Sequence, residues 1–144
     1  MARRPREPRW LSRIVADAIH DDQIREHGGL PGIRDENALE SALARPRNKW
    51  LYGKERDPAA LAAGYGFGLI TNHPYADGNK RVGANAAITF LLMNNLEPTF
   101  DEEELADLVL SVASGGLSKL GLTQVFESRC KPLENCDDFR LGIR

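Results

Sequence analysis

Apolar positions recur at helical spacing along most of this chain, and the breaks between them carry helix-stop and turn residues. Ile14, Val15, Ala18, Ile19 and Ile24 form one stripe, which predicts an amphipathic helix from Ser12 to about Glu26, ended by Gly28 and Gly29. Gly28-Gly29-Leu30-Pro31-Gly32 cannot continue it and reads as a turn, a short hairpin or a flap beside a site. Asp35 is placed to cap a short helix through Leu43, with Pro46 as its stop. Asp57-Pro58 signals the next start, a capping carboxylate followed by proline at the first helical position, for a helix to about Thr71. Gly64, Gly66 and Gly68 fall inside it, each costing about 1 kcal/mol relative to alanine, and close helix packing is their expected purpose. From Asn79 to Asn95 apolar residues cover almost every face, the pattern of a helix buried at the centre of its domain. Asp101 opens a helix to about Ser114, and Ser118 opens a last one to about Arg129. The expected fold is all-α, a helical bundle around a buried central helix, with at most a small β-hairpin near residues 28–33 or 97–100.

Composition narrows the picture. The chain has 144 residues, 42% hydrophobic and 28% charged, with a net charge of −2. That suits one domain and gives no global pull toward nucleic acid or an anionic membrane. The longest apolar run, Ala86 to Met93, is too short to span a bilayer, and no apolar leader precedes the first helix, so a cytoplasmic location is expected. Residues 1–11 read as a flexible basic arm, with Arg3, Arg4, Arg6 and Arg9 against Glu7 and with Pro5 and Pro8 opposing helix. A solvated tail is favoured there over an arm for RNA or an acidic partner. The domain is expected over residues 12–129, followed by a tail over 130–144. Cys130 and Cys136 match no common zinc spacing and read as free thiols.

Candidate chemistry concentrates where the central helix begins, in His73-Pro74-Tyr75-Ala76-Asp77-Gly78-Asn79-Lys80-Arg81. The first amides of any helix lack partners within it, and the helix dipole adds partial positive charge, so such an end favours phosphate. Gly78 permits close approach of a ligand. Lys80 and Arg81 place two cations where cations are normally unfavourable, which points to a bound anion. Asp77 among phosphate-binding groups is a natural Mg²⁺ ligand. Asn79 is suited to cap the helix or to bond a phosphate or a metal-bound water. His73 supplies a side chain of the type that takes a proton from a hydroxyl near neutral pH. Pro74 keeps it out of helical geometry, and Tyr75 is expected to anchor the loop in the core. Singly these are ordinary residues, for Asp-Gly-Asn is a common turn and a lone histidine is usually structural; their conjunction before a buried helix favours function. His20 and His27 lack a metal-binding spacing and read as surface or packing residues.

These nine residues resemble the signature of the Fic superfamily, His-x-Phe-x-(Asp/Glu)-Gly-Asn-Gly-Arg-x-x-Arg, with Tyr75 for phenylalanine, Lys80 for the glycine and Ala84 for the second arginine. The Lys80 form resembles the Doc (death-on-curing) branch. Ile19-His20, the segment Gly28 to Asp35 and Leu39-Glu40-Ser41-Ala42-Leu43 are similar to it as well, so the resemblance covers roughly Ile14 to Phe126. It implies ATP as donor, Mg²⁺, and a protein hydroxyl as acceptor. Doc-type enzymes are the toxin halves of toxin–antitoxin pairs and phosphorylate elongation factor EF-Tu, arresting translation. By that resemblance His73, Asp77 and Arg81 are catalytic; Gly78, Asn79, Lys80 and Arg81 hold phosphate; and Asp77 carries the metal. A lysine at position 80 narrows the anion hole, so ATP would present its γ-phosphate to the hydroxyl. The alternatives are a Fic-type adenylyltransferase and a non-catalytic co-regulator that binds the antitoxin. An antitoxin and a protein target are the expected partners, with no membrane and no direct nucleic-acid binding. Thr123 to Glu127 fits five positions of the family's self-inhibitory motif, (Ser/Thr)-x-x-x-Glu-(Gly/Asn), but Ser128 fails the sixth, so it is not read as inhibitory.

Overall fold

The structure, a computed structural model, describes residues 6–133; the outer part of the basic arm and the tail beyond Leu133, with Cys136, lie outside the described residues. Within them the chain forms α1 (Arg13–His27), α2 (Glu36–Gly53), α3 (Pro58–Asn72), α4 (Asn79–Met93), β1 (Leu96–Pro98), α5 (Glu102–Ala113), α6 (Lys119–Arg129) and β2 (Cys130–Pro132). The all-helical architecture is as expected. No helix is long and apolar enough to cross a membrane among the described residues.

Helix starts follow local chemistry. The side chains of Ser12, Asp35, Asp57, Asp101 and Ser118 each accept from a backbone amide of the first turn they cap. Asp101 and Glu104 form a reciprocal capping box. α4 differs: its N-cap is Gly78, left-handed at φ 78°, and no side chain caps it.

Two expectations need correction. Pro46 does not stop α2, which runs ten positions past Leu43 to Gly53. Proline removes a donor and crowds the carbonyl four residues back, at about 3 kcal/mol. Here its buried ring packs against Gly64 of α3, where a Cβ would lie 3.4 Å from Pro46 Cγ, and the helix beyond it carries the buried Trp50. Packing thus overrides the local signal. Nor is α4 the most enclosed helix. Eleven of the fifteen residues of α3 are buried against seven of fifteen in α4, so α3 is the centre and α4 lies against it.

The α3 glycines explain this. Gly64 and Gly68, one turn apart, face Pro46 and Ala42 of α2, while Gly66 faces α4. Opposite Gly66 stands Gly83, where a Cβ would lie 2.6 Å from Ile70 Cγ1 and 3.0 Å from the Gly66 carbonyl oxygen. α3 and α4 therefore touch backbone to backbone.

The strand pair is not a hairpin. β1 pairs antiparallel with β2, Glu97 opposite Lys131, with α5 and α6 between them in sequence. Residues 28–33 contribute only an isolated bridge, Ile33 to Tyr75. The end of the N-terminal arm is packed: Trp10 stacks on Phe90 at 6.1 Å and meets Trp50 edge-on, and Leu11 is buried. Cys130 is half-buried in β2. Arg13 ties α1 to α2 through Glu36 and Glu40.

Gly83→Ala is expected to lower stability by about 1–3 kcal/mol in urea unfolding, although alanine is the better helix former. Gly53→Ala, whose nearest neighbour would be Lys49 Cδ at 3.6 Å, should be neutral or stabilising. A second expectation concerns pH. Arg129 grips Glu104 at 2.8 and 3.1 Å, and with the backbone of Asp101 pulls its carboxyl down to about 2. A depressed carboxylate stabilises the fold above its unfolded value, near 4.3, and that contribution is lost as pH falls toward 2. Glu104→Gln should flatten the stability profile in that window, by less at high salt because the pair is exposed.

Candidate active site

The loop between α3 and α4 is held by contacts from α1 and from residues 30–35. α3 ends at Asn72, and His73 follows as its C-cap in the left-handed region, φ 49° and ψ 52°. Pro74 does keep His73 out of the helix, but into this conformation rather than an extended one. The carbonyls left over at a helix C-terminus need donors. Arg34 supplies them, its Nε donating to the His73 carbonyl at 2.6 Å and its Nη2 to that of Asn72 at 2.9 Å. The backbone amides of Arg34 and Asp35 donate to the Pro74 carbonyl, and Ala76 N–H donates to the Gly32 carbonyl. Residues 32–35 are thus zipped to the loop.

Tyr75 anchors the loop, as expected. It is 1% exposed, its hydroxyl donates to Asp17 Oδ1 at 2.8 Å, and its ring stacks on His20 at 4.0 Å. Burial, with Asp17 as acceptor, pushes its phenol above the usual range. Asn79 braces the same turn: Tyr75 N–H donates to its Oδ1 and its Nδ2 donates to the Tyr75 carbonyl. Asn79 is therefore not the cap, and its side chain keeps only one lone pair and one hydrogen for a ligand.

Asp77 is held at three points. Its carbonyl accepts from His20 Nε2 at 3.0 Å, and its carboxylate accepts from Gly78 N–H at 2.8 Å and from Leu30 N–H at 3.3 Å. Gly29, at φ 119°, makes room for it, since a Cβ there would lie 2.7 Å from Asp77 Oδ2.

His73, Asp77, Lys80 and Arg81 are exposed, on a rim where the end of α3 meets the start of α4. The helix is largely buried between Val82 and Leu91, but its first turn is an open ledge. Among the described residues neither Lys80 nor Arg81 has an ion-pair partner. Two cations and uncapped amides thus stand together at the positive end of a dipole, an arrangement that favours an anion. A cavity of about 290 Å³ lies elsewhere, lined by Phe100, Leu108, Val125 and Arg129 among others of α5 and α6.

Sequence reading missed Arg34 and His20. Arg34 was marked only by its place in the Doc-like segment Gly28 to Asp35, which gives it no individual role. His20 is 3% exposed and lies under the loop, a contact that amphipathic periodicity does not reveal. Thr123 to Glu127 lies on α6, and Asp57, which caps the far end of α3, raises the Glu127 carboxyl by hydrogen bonding. That end is about 22 Å from His73 along a fifteen-residue helix, out of reach of the ledge.

The fold and loop define a helical domain whose anion-attracting helix start is flanked by an imidazole and a carboxylate. The sequence profile of the Fic/DOC family matches residues 10–91. The chain is 36% identical over 110 residues to the "Protein kinase doc" of Escherichia phage P1, covering 76% of this chain and 86% of that protein. It is 37% identical over 91 residues to the "Toxin Doc" of Mycolicibacterium smegmatis, covering 60% and 69% respectively. This chain belongs to the Fic/DOC family.

Gly29→Ala should displace the Asp77 carboxylate and break its bond to the Leu30 amide, which hydrogen exchange would register as faster exchange at Leu30. Gly28→Ala strains the same left-handed backbone, at φ 78°, but meets nothing within 4 Å. If both variants speed Leu30 exchange equally, backbone strain and not contact with Asp77 is responsible.

Proposed function

We propose that this protein is a Doc-like toxin of a toxin–antitoxin pair, a kinase that moves the γ-phosphoryl group of ATP to a serine or threonine hydroxyl of a protein target. Elongation factor EF-Tu is the target proposed, and arrest of translation the result. The observation that carries this reading is the start of α4: a left-handed Gly78 N-cap with no side-chain bond to the first turn, two cations without an ion-pair partner among the described residues, and a fixed carboxylate. The name of the phage P1 relative, a protein kinase, supports phosphoryl over adenylyl transfer. Lys80, in place of the signature's glycine, supports it further by narrowing the anion hole.

On this reading Gly78, its own amide held by Asp77, lets the phosphate approach, and the backbone amides of Asn79 and Lys80 donate to the phosphate oxygens. Arg81 offsets the charge that develops as the phosphoryl group transfers. Asp77 is the residue that would hold Mg²⁺; its exposed carboxylate, already oriented by two amides, suits that part. Bound Mg²⁺ supplies charge neutralisation at the phosphates. His73 takes the hydroxyl proton. The hydroxyl oxygen forms the new bond to the γ-phosphorus, the bond to the β–γ bridging oxygen breaks, and ADP departs. An open ledge suits a macromolecular acceptor, because the target's own surface excludes water on docking.

Mass spectrometry of proteins from cells expressing this chain without its antitoxin is expected to find one protein gaining a single phosphoryl group. His73→Ala should cut transfer about 10²–10⁴-fold and relieve growth arrest. A gain of one adenylyl group would replace this reading with the adenylyltransferase one. Arrest that persists in His73→Ala would favour the non-catalytic co-regulator.

A further inference from the structure

We propose that His20 is a positioning residue for the phosphate-binding ledge: through its Nε2–H it fixes the Asp77–Gly78 peptide, and so the direction in which the first amides of α4 point. The inference rests on the anion-binding reading of that ledge. His20 and Thr123 are the buried polar side chains among the described residues, and His20 is the more deeply enclosed, at 3% exposure. Its Nε2 lies 3.0 Å from the Asp77 carbonyl oxygen, across 57 positions of sequence. A carbonyl only accepts, so this nitrogen carries the hydrogen and the tautomer is set.

The bonded carbonyl belongs to the peptide that opens the helix. The other end of that peptide, Gly78 N–H, donates to Asp77 Oδ1. The next carbonyl, of Gly78, accepts the first helical bond, from Val82. Both ends of the Asp77–Gly78 peptide are thus held, one by α1 and one by the side chain assigned to Mg²⁺. Turning this peptide changes ψ of Asp77 and φ of Gly78 together, and Gly78 lacks the Cβ that would resist the change. Nothing in Gly78 itself holds φ at 78°; the bond from His20 to the carbonyl and that from the Gly78 amide to Asp77 do, and of the two His20 supplies the only one from another element. The ring plane is fixed in turn, stacked on Tyr75 at 4.0 Å and 10°, with Tyr75 tied to Asp17. The chain of contacts runs from α1 through an imidazole to the amides at the catalytic ledge.

A histidine that merely filled space would be replaceable by another planar ring. Phenylalanine keeps the stack and removes the donor; glutamine keeps an Nε2–H donor at similar reach and removes the ring. The test compares wild type, His20→Phe and His20→Gln by the ¹H–¹⁵N resonances of Gly78, Asn79 and Lys80 and by kcat and KM for ATP, with urea midpoints recording stability. His20→Phe is expected to move those three resonances and to lower kcat about ten- to hundredfold, the cost of a misplaced group. His20→Gln should return the resonances toward wild type and recover most of kcat, even where it is the less stable of the two. The idea is wrong if His20→Phe leaves the three resonances in place, or if His20→Gln behaves no better than His20→Phe. Long-range ¹H–¹⁵N spectra of the wild-type imidazole give a check without variants: the Nε2–H tautomer is expected, and Nδ1–H would overturn the assignment. Should wild type transfer no phosphoryl group at all, the proposed function falls, while the amide comparison still decides the role of His20.

Discussion

Helices α3 and α4 meet at Gly66 and Gly83 with no side chain between their backbones, and the position of every group on the ledge depends on that contact. Because α4 lies hard against α3, the C-terminal carbonyls of one helix and the N-terminal amides of the other are brought to the same rim, joined by the loop from His73 to Gly78. Opposite ends of two dipoles then stand side by side. The structure treats them differently. The carbonyl end receives the guanidinium of Arg34, while at the amide end the Asp77 carboxylate takes the Gly78 amide and, among the described residues, no side chain caps the first turn. An asymmetry of that kind is costly if nothing binds and useful if an anion does.

The cations sharpen the point. A helix N-terminus carries about half a positive charge, and Lys80 and Arg81 add two more within its first turn. Two other helices follow the opposite rule, α5 beginning with Glu102, Glu103 and Glu104 and α2 with Glu36, and where α1 and α6 open on the cations Arg13 and Lys119 a serine side chain caps the first turn. The sequence therefore has the usual means of stabilising a helix start and does not use them at α4. A protein gives up local stability in this way where the binding of a charged ligand returns it.

Much of this was legible beforehand because it is local chemistry. Ser12, Asp35, Asp57, Asp101 and Ser118 announce helix starts through bonds that span two or three residues, and each start lies where the side chain predicts it. The nine-residue segment was legible for the same reason, since its residue types crowd into one stretch. What escaped depends on contacts far apart in sequence. Pro46 reads as a stop until Gly64 is seen to accept its ring. Glu97 finds its strand partner in Lys131, beyond two intervening helices. Arg34 and His20 fall in segments that resemble the Doc branch, but their roles appear only once the loop is laid against them, one bonding the exit of α3 and the other the entrance to α4.

The exposure of the ledge bears on how such a protein would be restrained. On the proposed reading, a kinase with His73 and Asp77 exposed beside the start of α4 has no lid among its described residues to close them off. The segment that comes nearest to a self-inhibitory helix, Thr123 to Glu127, belongs to α6, where Glu127 lies with Asp57 at the opposite end of α3. Moving it to Arg81 would mean detaching α6 from α3 and exposing Leu122 and Phe126, both nearly fully buried. Burying two such side chains stabilises a fold by roughly 3–6 kcal/mol, a large fraction of the total for a domain of this size. Restraint from within is therefore the expensive solution, and a separate chain that lies across the open rim is the cheap one. That comparison, with the name of one relative, "Toxin Doc", supports the toxin–antitoxin arrangement proposed for this protein.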